Sequence, residues 1–226
     1  MTRTLRIGEV DVALRRSARV RRMTLRVARV GGNVTLTVPP GVPDHEAEGF
    51  AASQADWIAR QVQAAPRARP VTVGARIPVL GREVPVIVGG GRSARWTGEA
   101  VAVPDNERAG RRIAALLKEV ARSHLVAAVD RHAEALGRQA GRITLRDTRS
   151  RWGSCTGRGD LMFSWRLAMA PPNVLDYVAA HEVAHLAHMD HSPRFWACVG
   201  RLLPDYAPRR AWLKKNGATL HAIDFG

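Results

Sequence analysis

The sequence predicts an α+β fold in two parts, and three observations lead to this prediction. Residues 1–103 alternate between apolar and polar positions with turn residues between the runs, which is typical of short strands. Residues 105–216 show mainly helical spacing of apolar side chains around one hairpin. With 226 residues and 46% hydrophobic content, the chain can bury a core in one or two domains. We therefore expect a small β-rich N-terminal domain over residues 1–103 and a second domain over residues 104–226, with the boundary near Pro104.

The N-terminal domain is expected to contain two strand pairs and one helix. Met23–Val27 and Val34–Val38 flank Gly31-Gly32-Asn33, which is a strong hairpin signal. A helix is predicted from about Asp44 to Gln63, where it ends before a proline-rich loop. A second strand pair is predicted within residues 77–88, and its prolines favour edge positions in the sheet.

The second domain is expected to open with a long helix, followed by a hairpin. Apolar residues recur at steps of three and four from Ile113 to Ala128. Residues 142–155 and 160–167 are predicted to be extended segments joined by Thr156-Gly157-Arg158-Gly159. In the second segment Leu161, Phe163, Trp165 and Leu167 would share one strand face. Such a hairpin could hold a substrate peptide against an exposed strand edge, although the sequence does not show which edge is free.

The most informative segment of the sequence is His181-Glu182-Val183-Ala184-His185, which fits a metal-binding helix. Pro171-Pro172-Asn173 is typical of a helix start. On a helix, residues i and i+4 lie on one face, so His181 and His185 can offer two imidazoles to one ion. Glu182 is expected to act as a general base that takes a proton from metal-bound water, whose pKa the ion lowers. The segment therefore predicts a catalytic metal site.

Catalytic zinc usually has three protein ligands, so a third ligand is expected close to this pair. His188 would lie too far along the helix axis and nearly in line with the other two ligands. His191 follows His185 by six residues, the separation at which metzincins place their third histidine, although their glycine at the turn is His188 here. Ser192-Pro193 is a typical N-cap and first position of a following helix, which places His191 in the bend. We therefore prefer His191 to His188, and no later Glu offers an alternative ligand.

Several segments in addition to the metal segment resemble one family of proteins. These motifs are Arg15–Arg19, Trp57-Ile58, Ser150–Cys155, Trp165–Leu167, Asp176–Val178, His191–Trp196 and Leu203–Tyr206. Over nearly the whole chain they resemble the YgjP-like metallopeptidase family, whose neighbours are SprT-like proteases and other minimal zincins. The resemblance implies a minimal zincin-like catalytic domain with an HExxH helix. In that domain His181, His185 and His191 would bind zinc (Zn²⁺), and Glu182 would be catalytic.

Two positions depart from the pattern of this family, and several roles around the site stay open. Ser164 and Asp190 each stand where the family often has Asn, and neither change removes a ligand. Arg151 could anchor a structural carboxylate such as Asp147 or Asp176, or it could bind an anionic group of a substrate. For Trp152 and Trp165, packing in the core is the preferred interpretation. Four residues near the site could stabilise an oxyanion, and the sequence does not rank them: His188, Tyr177, Tyr206 and Arg151.

The chain is strongly basic, with a formal net charge of +15 at pH 7. Such a charge attracts nucleic acid, acidic proteins or nucleotides. The densest part of the basic sequence is Arg15, Arg16, Arg19, Arg21 and Arg22. Two interpretations stay open, namely a nucleic-acid-binding surface and a solvated basic face that reflects an Arg-rich composition.

The cysteines and the chain start set further expectations. Two cysteines do not make a disulfide framework and cannot form a Cys-rich zinc ribbon. Cys198 is expected to be a reduced, buried thiol, whereas Cys155 is close to the predicted site and could be either buried or reactive. The first six residues carry charge but no apolar stretch follows, and no run is long enough to cross a bilayer. A cytoplasmic protein without a membrane partner is therefore expected.

Three functions from different classes fit these features. The leading hypothesis is a zinc-dependent peptidase that cuts peptide or protein substrates with metal-activated water, with Glu182 first as base and then as proton donor. The second hypothesis is a metal-dependent hydrolase of nucleotides or another phosphorylated small molecule, held by the basic surface. The third is a basic nucleic-acid-binding module with a structural metal, which the presence of Glu182 beside three ligands disfavours.

Overall fold

The structure is a computed structural model that describes residues 3–226. Its mixture of helices and several small sheets agrees with the predicted α+β class. The chain divides into two compact units, one ending at Arg69 and the other beginning at Pro70. This division differs from the expected boundary near Pro104. The reason is that strands between residues 76 and 103 share a hydrophobic core with the long helix that follows them, and the first strands have a core of their own.

A four-stranded sheet and two helices form the first unit. The strands are β1 (Arg3–Ile7), β2 (Val10–Arg16), β3 (Thr24–Val27) and β4 (Val34–Val38), in the order β1-β2-β4-β3. β2 pairs antiparallel with β1 and parallel with β4, and the antiparallel pairing of β3 with β4 confirms the predicted hairpin. Alternate residues of β4 are buried, in one core with apolar residues of helices α1 (Asp44–Ser53) and α2 (Ala55–Ala64).

The single helix predicted from Asp44 to Gln63 is wrong in one respect, because the structure has two helices that meet at Gln54. This residue has φ −106° and ψ 11°, outside the helical region. The Ser53 hydroxyl donates a hydrogen bond to the Phe50 carbonyl oxygen at 2.7 Å. Serine side chains that bond to the backbone in this way compete with regular helix geometry, which accounts for the break.

The arginines of the basic cluster lie on the surface of the first unit. All five are exposed: Arg15, Arg16, Arg19, Arg21 and Arg22. Arg16 forms an ion pair with Asp44 and donates to the Val42 carbonyl oxygen at 2.6 Å. On β3, Arg26 is exposed while both of its neighbours are half-buried, as expected of a strand with one solvent face.

The second unit contains a second four-stranded sheet, and the short strand before this sheet spans the division between the units. After β5 (Arg69–Pro70) come β6 (Arg76–Val79), β7 (Arg82–Val88), β8 (Arg95–Trp96) and β9 (Val101–Val103), in the sheet order β6-β7-β9-β8. The antiparallel pairing of β6 with β7 confirms the second predicted strand pair. Pro78 lies on an edge strand, as predicted, but Pro85 lies on β7, which has neighbours on both sides. β9 pairs with β7 only from Val86 onward, so the missing N–H of Pro85 removes no hydrogen bond to β9.

The predicted long helix is α3 (Ala109–Leu136), which ends at Gly137 in a left-handed conformation with φ 66°. The predicted hairpin follows as β11 (Gly153–Cys155) and β12 (Leu161–Ser164), which pair antiparallel. The first extended segment also contains β10 (Ile143–Arg146), which pairs parallel with β12, so the sheet order is β10-β12-β11. Trp165 and Leu167 are buried as predicted, but they belong to a 3-10 helix (Trp165–Met169) rather than to the strand.

Three helices complete the second unit. They are α4 (Pro172–Ala184), α5 (Pro193–Leu202) and α6 (Tyr206–Ala222), followed by β13 (Ile223–Asp224). α4 packs against α3, α5 and α6. Both predicted helix starts are confirmed, because α4 has Pro172 at its first position and Ser192 caps α5 by accepting a hydrogen bond from the Phe195 N–H at 3.4 Å. Within residues 3–226, no helix combines the length and apolar character that a membrane crossing needs.

Candidate active site

Helix α4 carries the first part of the candidate site at its carboxyl end. His181 and Glu182 lie in its last turn, and Glu182 is buried, with 5% of its surface exposed. The helix ends at Ala184, one residue before His185, but His185 keeps a helical backbone with φ −66° and ψ −18°. His181 and His185 therefore keep the i, i+4 relation on one face that the sequence predicted.

The bend after α4 brings a third histidine to the pair. The backbone leaves the helix with tight turns, in which the His188 N–H donates to the Ala184 carbonyl oxygen at 3.1 Å. Nε2 of His191 lies 3.2 Å from Nε2 of His181. One ring nitrogen from each of His181, His185 and His191 lies within 4.8 Å of the other two. Among residues 3–226 this is the group of potential metal ligands that comes together, and His188 is not part of it.

The hydrogen bond of His185 fixes which ring nitrogen can act as a ligand. Its Nδ1 lies 2.9 Å from the His188 carbonyl oxygen. Because a carbonyl oxygen can only accept, Nδ1 must carry the hydrogen, and Nε2 keeps its lone pair. His188 thus contributes its backbone rather than its imidazole, by orienting a neighbouring histidine ring.

Burial favours the neutral form of His181 and His185, the form that binds a metal ion. It lowers the pKa of His181 to about 3, helped by the nearby His185 and His191. It also lowers the pKa of His185, although the bond to the His188 carbonyl opposes this shift. Burial raises the pKa of Glu182 to about 8, and the positive charge of Arg151 offsets only part of that effect. The site therefore combines two neutral imidazoles, those of His181 and His185, with the exposed ring of His191 and one buried carboxyl group.

The ring of Phe195 on α5 packs against the rings of all three histidines. Its ring is fully buried, and its centroid lies 4.5 Å from His185, 4.8 Å from His191 and 4.9 Å from His181. In the sequence, Phe195 lies within the family motif His191–Trp196 and in the helix that starts at Ser192-Pro193, and neither indicates a contact with the histidines. Its contact with the site depends on how α5 folds back against α4, which the local sequence pattern does not reveal.

Gly153 allows the sheet to approach the site closely. A Cβ atom at this position would lie 2.6 Å from Cγ of Glu182, closer than real Cβ contacts allow. Any residue with a side chain would therefore displace either Glu182 or β11. The family motif drew attention to this glycine, but only the structure shows the reason for it.

A cavity of about 320 Å³ lies between β11 and the histidines. Its lining residues come from both sides of the site: Arg151, Gly153, Ser154, Cys155, His181, Glu182, His185, Met189 and His191. Burial, together with the nearby Glu182 and Asp160, raises the pKa of the Cys155 thiol to about 11. This shift favours the protonated thiol and counts against a reactive thiolate.

The tryptophans and tyrosines singled out from the sequence pack against other rings or the core, whereas Arg151 forms no ion pair with the carboxylates proposed for it. Arg151 anchors neither of the carboxylates considered for it, because Asp147 binds Arg166 and Asp176 binds His132, Arg131 and Arg209. Trp152 stacks on His221 with a centroid separation of 4.5 Å, and Trp165 is buried in the core, so both tryptophans pack as predicted. Tyr177 is buried and stacks on Tyr206 at 6.3 Å.

Comparison with known proteins identifies one family. No curated protein matches the chain. One solved structure, the metallopeptidase zymogen of Pyrococcus abyssi abylysin, matches with 19% sequence identity and a TM-score of 0.36, over 40% of this chain and 93% of that one. The family model described as the YgjP-like metallopeptidase domain matches residues 21–216. The chain therefore belongs to the YgjP-like metallopeptidase family.

Proposed function

We propose that the chain is a zinc-dependent peptidase with Glu182 as its catalytic acid and base. The observation that carries the proposal is the convergence of three imidazole nitrogens beside a buried carboxyl group. His181, His185 and His191 would hold the ion. As a member of a metallopeptidase family, the chain would act on peptide or protein substrates.

The donor set fits zinc better than the other common metal ions. Three imidazoles without a carboxylate donor suit zinc, whereas magnesium and calcium prefer oxygen ligands. Three protein ligands also leave one coordination position open, which is typical of catalytic rather than structural zinc sites. A zinc ion at this place supplies a positive charge that polarises the scissile carbonyl and lowers the pKa of water to near neutrality.

In this proposal Glu182 would move the proton. Its carboxylate would accept a proton from the attacking water and later pass it to the leaving amine. Burial alone favours the protonated form of Glu182, but a divalent cation at the three histidines would favour the carboxylate. A bound metal ion would thus keep Glu182 in the carboxylate form that can act as a base.

β11 is the edge strand along which a substrate peptide would lie. The Ser164 N–H donates to the Trp152 carbonyl oxygen at 2.8 Å, and the Thr156 N–H donates to the Asp160 carbonyl oxygen at 2.9 Å. In an antiparallel pair every second residue bonds to the partner strand, so the backbone groups of Gly153 and Cys155 point away from β12. In this sheet β11 pairs with β12 on one side only. On its other side, a substrate strand could pair with the backbone groups of Gly153 and Cys155.

The proposal is tested by separating metal binding from hydrolysis. We expect wild-type protein loaded with zinc to cleave members of a mixed peptide library. Glu182→Gln should keep about one zinc per chain but lose cleavage by a factor of about 10² or more, because the proton acceptor is gone. His185→Ala should lose zinc, as measured by metal analysis after dialysis. Two exposed residues provide matched controls, and Glu134→Gln and His45→Ala should change neither property.

Two results would contradict the proposal. One is a Glu182→Gln variant that cleaves peptides at the wild-type rate. The other is wild-type protein that binds zinc and cleaves only nucleotides, which would support the phosphorylated-substrate hypothesis instead.

A further inference from the structure

A second cavity of about 470 Å³ lies on the outward face of the sheet β10-β12-β11 and adjoins the active-site cavity. Arg151 and Ser154 line both cavities, so the two spaces meet around β11. The second cavity also contains Arg142 and Arg146, which come from the start and end of the β10 segment. A chain bound along β11 would therefore lie next to both the cavity with the histidines and the face with three arginines.

The strand register explains why these polar side chains share one face. Thr144, Met162 and Ser154 lie side by side across the three strands. Arg146 is two residues beyond Thr144 on the same strand and points to the same side. Ile143 and Leu145 alternate with them and are partly buried against the hydrophobic core.

The three arginines are exposed, although the charge of Arg151 also acts on Glu182 in the adjoining cavity. Within residues 3–226, none of Arg142, Arg146 and Arg151 forms an ion pair. The acid in the cavity lining is Asp160, whose carboxylate already accepts the Arg142 backbone N–H at 2.9 Å. The face thus has three cations against one carboxylate, with hydroxyl side chains between them.

We propose that this face binds acidic side chains of the substrate, so that the peptidase selects acidic segments of proteins. The inference rests on the proposed peptidase function. Guanidinium groups bind carboxylates through paired, charge-assisted hydrogen bonds, and unpaired arginines beside a cleft are available for them. A carboxylate near the scissile bond would bind Arg151.

The spacing of the strands predicts where a second acidic residue binds. β10 lies two strands away from β11, a distance of about 10 Å. A substrate that stays along β11 runs parallel to β10, so a carboxylate reaches Arg146 only where the bound chain leaves β11 and crosses the outward face of the sheet. An extended chain advances about 3.3 Å per residue, so this carboxylate belongs about three or more residues from the one at Arg151. The preferred substrate therefore carries two acidic positions separated by a few residues.

Binding to the inactive Glu182→Gln variant tests the inference without relying on cleavage. Fluorescein-labelled peptides of about twelve residues would carry acidic residues at the two positions, and matched peptides would carry Asn and Gln there. We expect the acidic peptide to bind about tenfold more tightly, with an affinity that falls as salt is added. Adding Arg146→Gln or Arg142→Gln should weaken its binding about fivefold each, whereas the neutral peptide should respond little. Arg111→Gln is the control, since it removes one exposed charge outside both cavities.

Cleavage assays distinguish a failure of this inference from a failure of the proposed peptidase function. With wild-type protein, the ratio of kcat/KM for acidic over neutral peptides should be about ten, and Arg146→Gln should reduce that ratio. If peptides are cleaved without an acidic preference, the inference is wrong while the peptidase function stands. If no peptide is cleaved but the arginine-dependent binding is present, the proposed function is wrong while the binding face is confirmed.

Two other outcomes would overturn the inference. One is an effect of Arg111→Gln as large as that of Arg146→Gln, which would show that only the overall charge matters. The other is a nucleoside triphosphate or single-stranded oligonucleotide that binds more tightly than the acidic peptide with the same arginine dependence. That result would assign the face to phosphate groups.

Discussion

Gly153 is the residue whose replacement most directly tests the contact between the sheet and Glu182. A methyl group at position 153 would collide with Cγ of Glu182, at 2.6 Å. We predict that Gly153→Ala lowers kcat by about 10² while zinc stays bound, because a shift of about 1 Å in a catalytic group is enough to have that effect. Steady-state kinetics and metal analysis on the same preparation would measure the two properties.

The same hairpin offers a matched control for this substitution. A Cβ at Gly157, in the turn between β11 and β12, would meet no atom within 4 Å. Gly157→Ala should therefore leave kcat unchanged. Wild-type kcat in Gly153→Ala would show that Glu182 does not need its present position.

Phe195 offers a second test at the scale of single residues. It contacts the rings of His181, His185 and His191 and has no polar atom that could bind a metal. We predict that Phe195→Leu weakens zinc binding about tenfold, because residues that orient metal ligands commonly have effects of this size. Competition with a fluorescent zinc chelator would measure the affinity. Phe225→Leu, at a buried ring packed on Trp165 instead, should destabilise the fold to a similar extent without changing zinc affinity.

Gly153 and Phe195 show what could not be predicted from the sequence at this scale. His181 and His185 could be predicted because their relation depends only on helical spacing. His191 could be predicted because Ser192-Pro193 starts a new helix directly after it. Gly153 and Phe195 act through contacts between segments far apart in the chain, and no local periodicity encodes which pairs of segments meet.

At the scale of elements, the bend between α4 and α5 positions the third histidine. Ser192 caps α5, and its own N–H donates to Asp190 Oδ1 at 3.3 Å. We predict that Ser192→Ala lowers the free energy of unfolding by about 1 kcal/mol, the usual loss for an N-cap serine. Urea unfolding would measure the change. Ser192→Asp should restore the cap, because Asp accepts the same hydrogen bond.

An exposed serine within a helix is the control for this prediction. Ser123 lies in the middle of α3 and is exposed. Ser123→Ala should be neutral or slightly stabilising, since Ala has the higher helix propensity. If Ser123→Ala and Ser192→Ala lowered the free energy of unfolding equally, loss of the N-cap would not be the cause of the effect of Ser192→Ala.

Sequence patterns predicted the helices of the second unit better than its small sheet. Helix starts depend on neighbouring residues such as Pro172 and Ser192, which the sequence displays directly. The parallel pairing of β10 with β12 joins segments that are not neighbours in the sequence. The sequence pattern predicted β10, β11 and the loop between them as one extended segment, so it did not indicate that β10 is a separate strand. The 3-10 helix at Trp165 also depends on distant contacts, because Arg166 donates to the carbonyl oxygens of Leu220 and Ile223 at the other end of the unit.

At the scale of the whole molecule, two carboxylates join elements that are far apart in the sequence. Asp147 binds the buried Arg166 through two hydrogen bonds of 2.6 and 3.1 Å. Asp176 on α4 accepts hydrogen bonds from His132 on α3 at 2.8 Å and from Arg209 on α6 at 3.2 Å. The second of these clusters holds α4, which carries His181 and Glu182, to the helices on both sides of it. The stability of the second unit and the geometry of the site therefore share these contacts.

The two carboxylates give the fold a defined sensitivity to acid. Burial alone would raise the pKa of each, but the hydrogen bonds and charges of Arg166 at Asp147, and of His132, Arg131 and Arg209 at Asp176, outweigh burial and lower both pKa values. Because the folded-state pKa is below the unfolded one, the contribution to stability is complete above about pH 4 and is lost as the pH falls further. The basic composition adds to this loss, since protonating carboxylates increases a net charge that is already +15.

We predict that the melting temperature falls steeply below about pH 4 and that Asp176→Asn flattens this dependence. At pH 7 the free energy of unfolding of Asp176→Asn should be about 2 kcal/mol lower than that of the wild type, because the lost hydrogen bonds involve charged groups. Calorimetry at several pH values, with and without 0.5 M salt, would separate the two causes of acid sensitivity. Salt screens the overall repulsion, so whatever pH dependence survives in high salt and disappears in Asp176→Asn belongs to this carboxylate. Asp105, which is exposed and has no ion pair within residues 3–226, is the control, and an equal flattening in Asp105→Asn would assign the acid sensitivity to net charge alone.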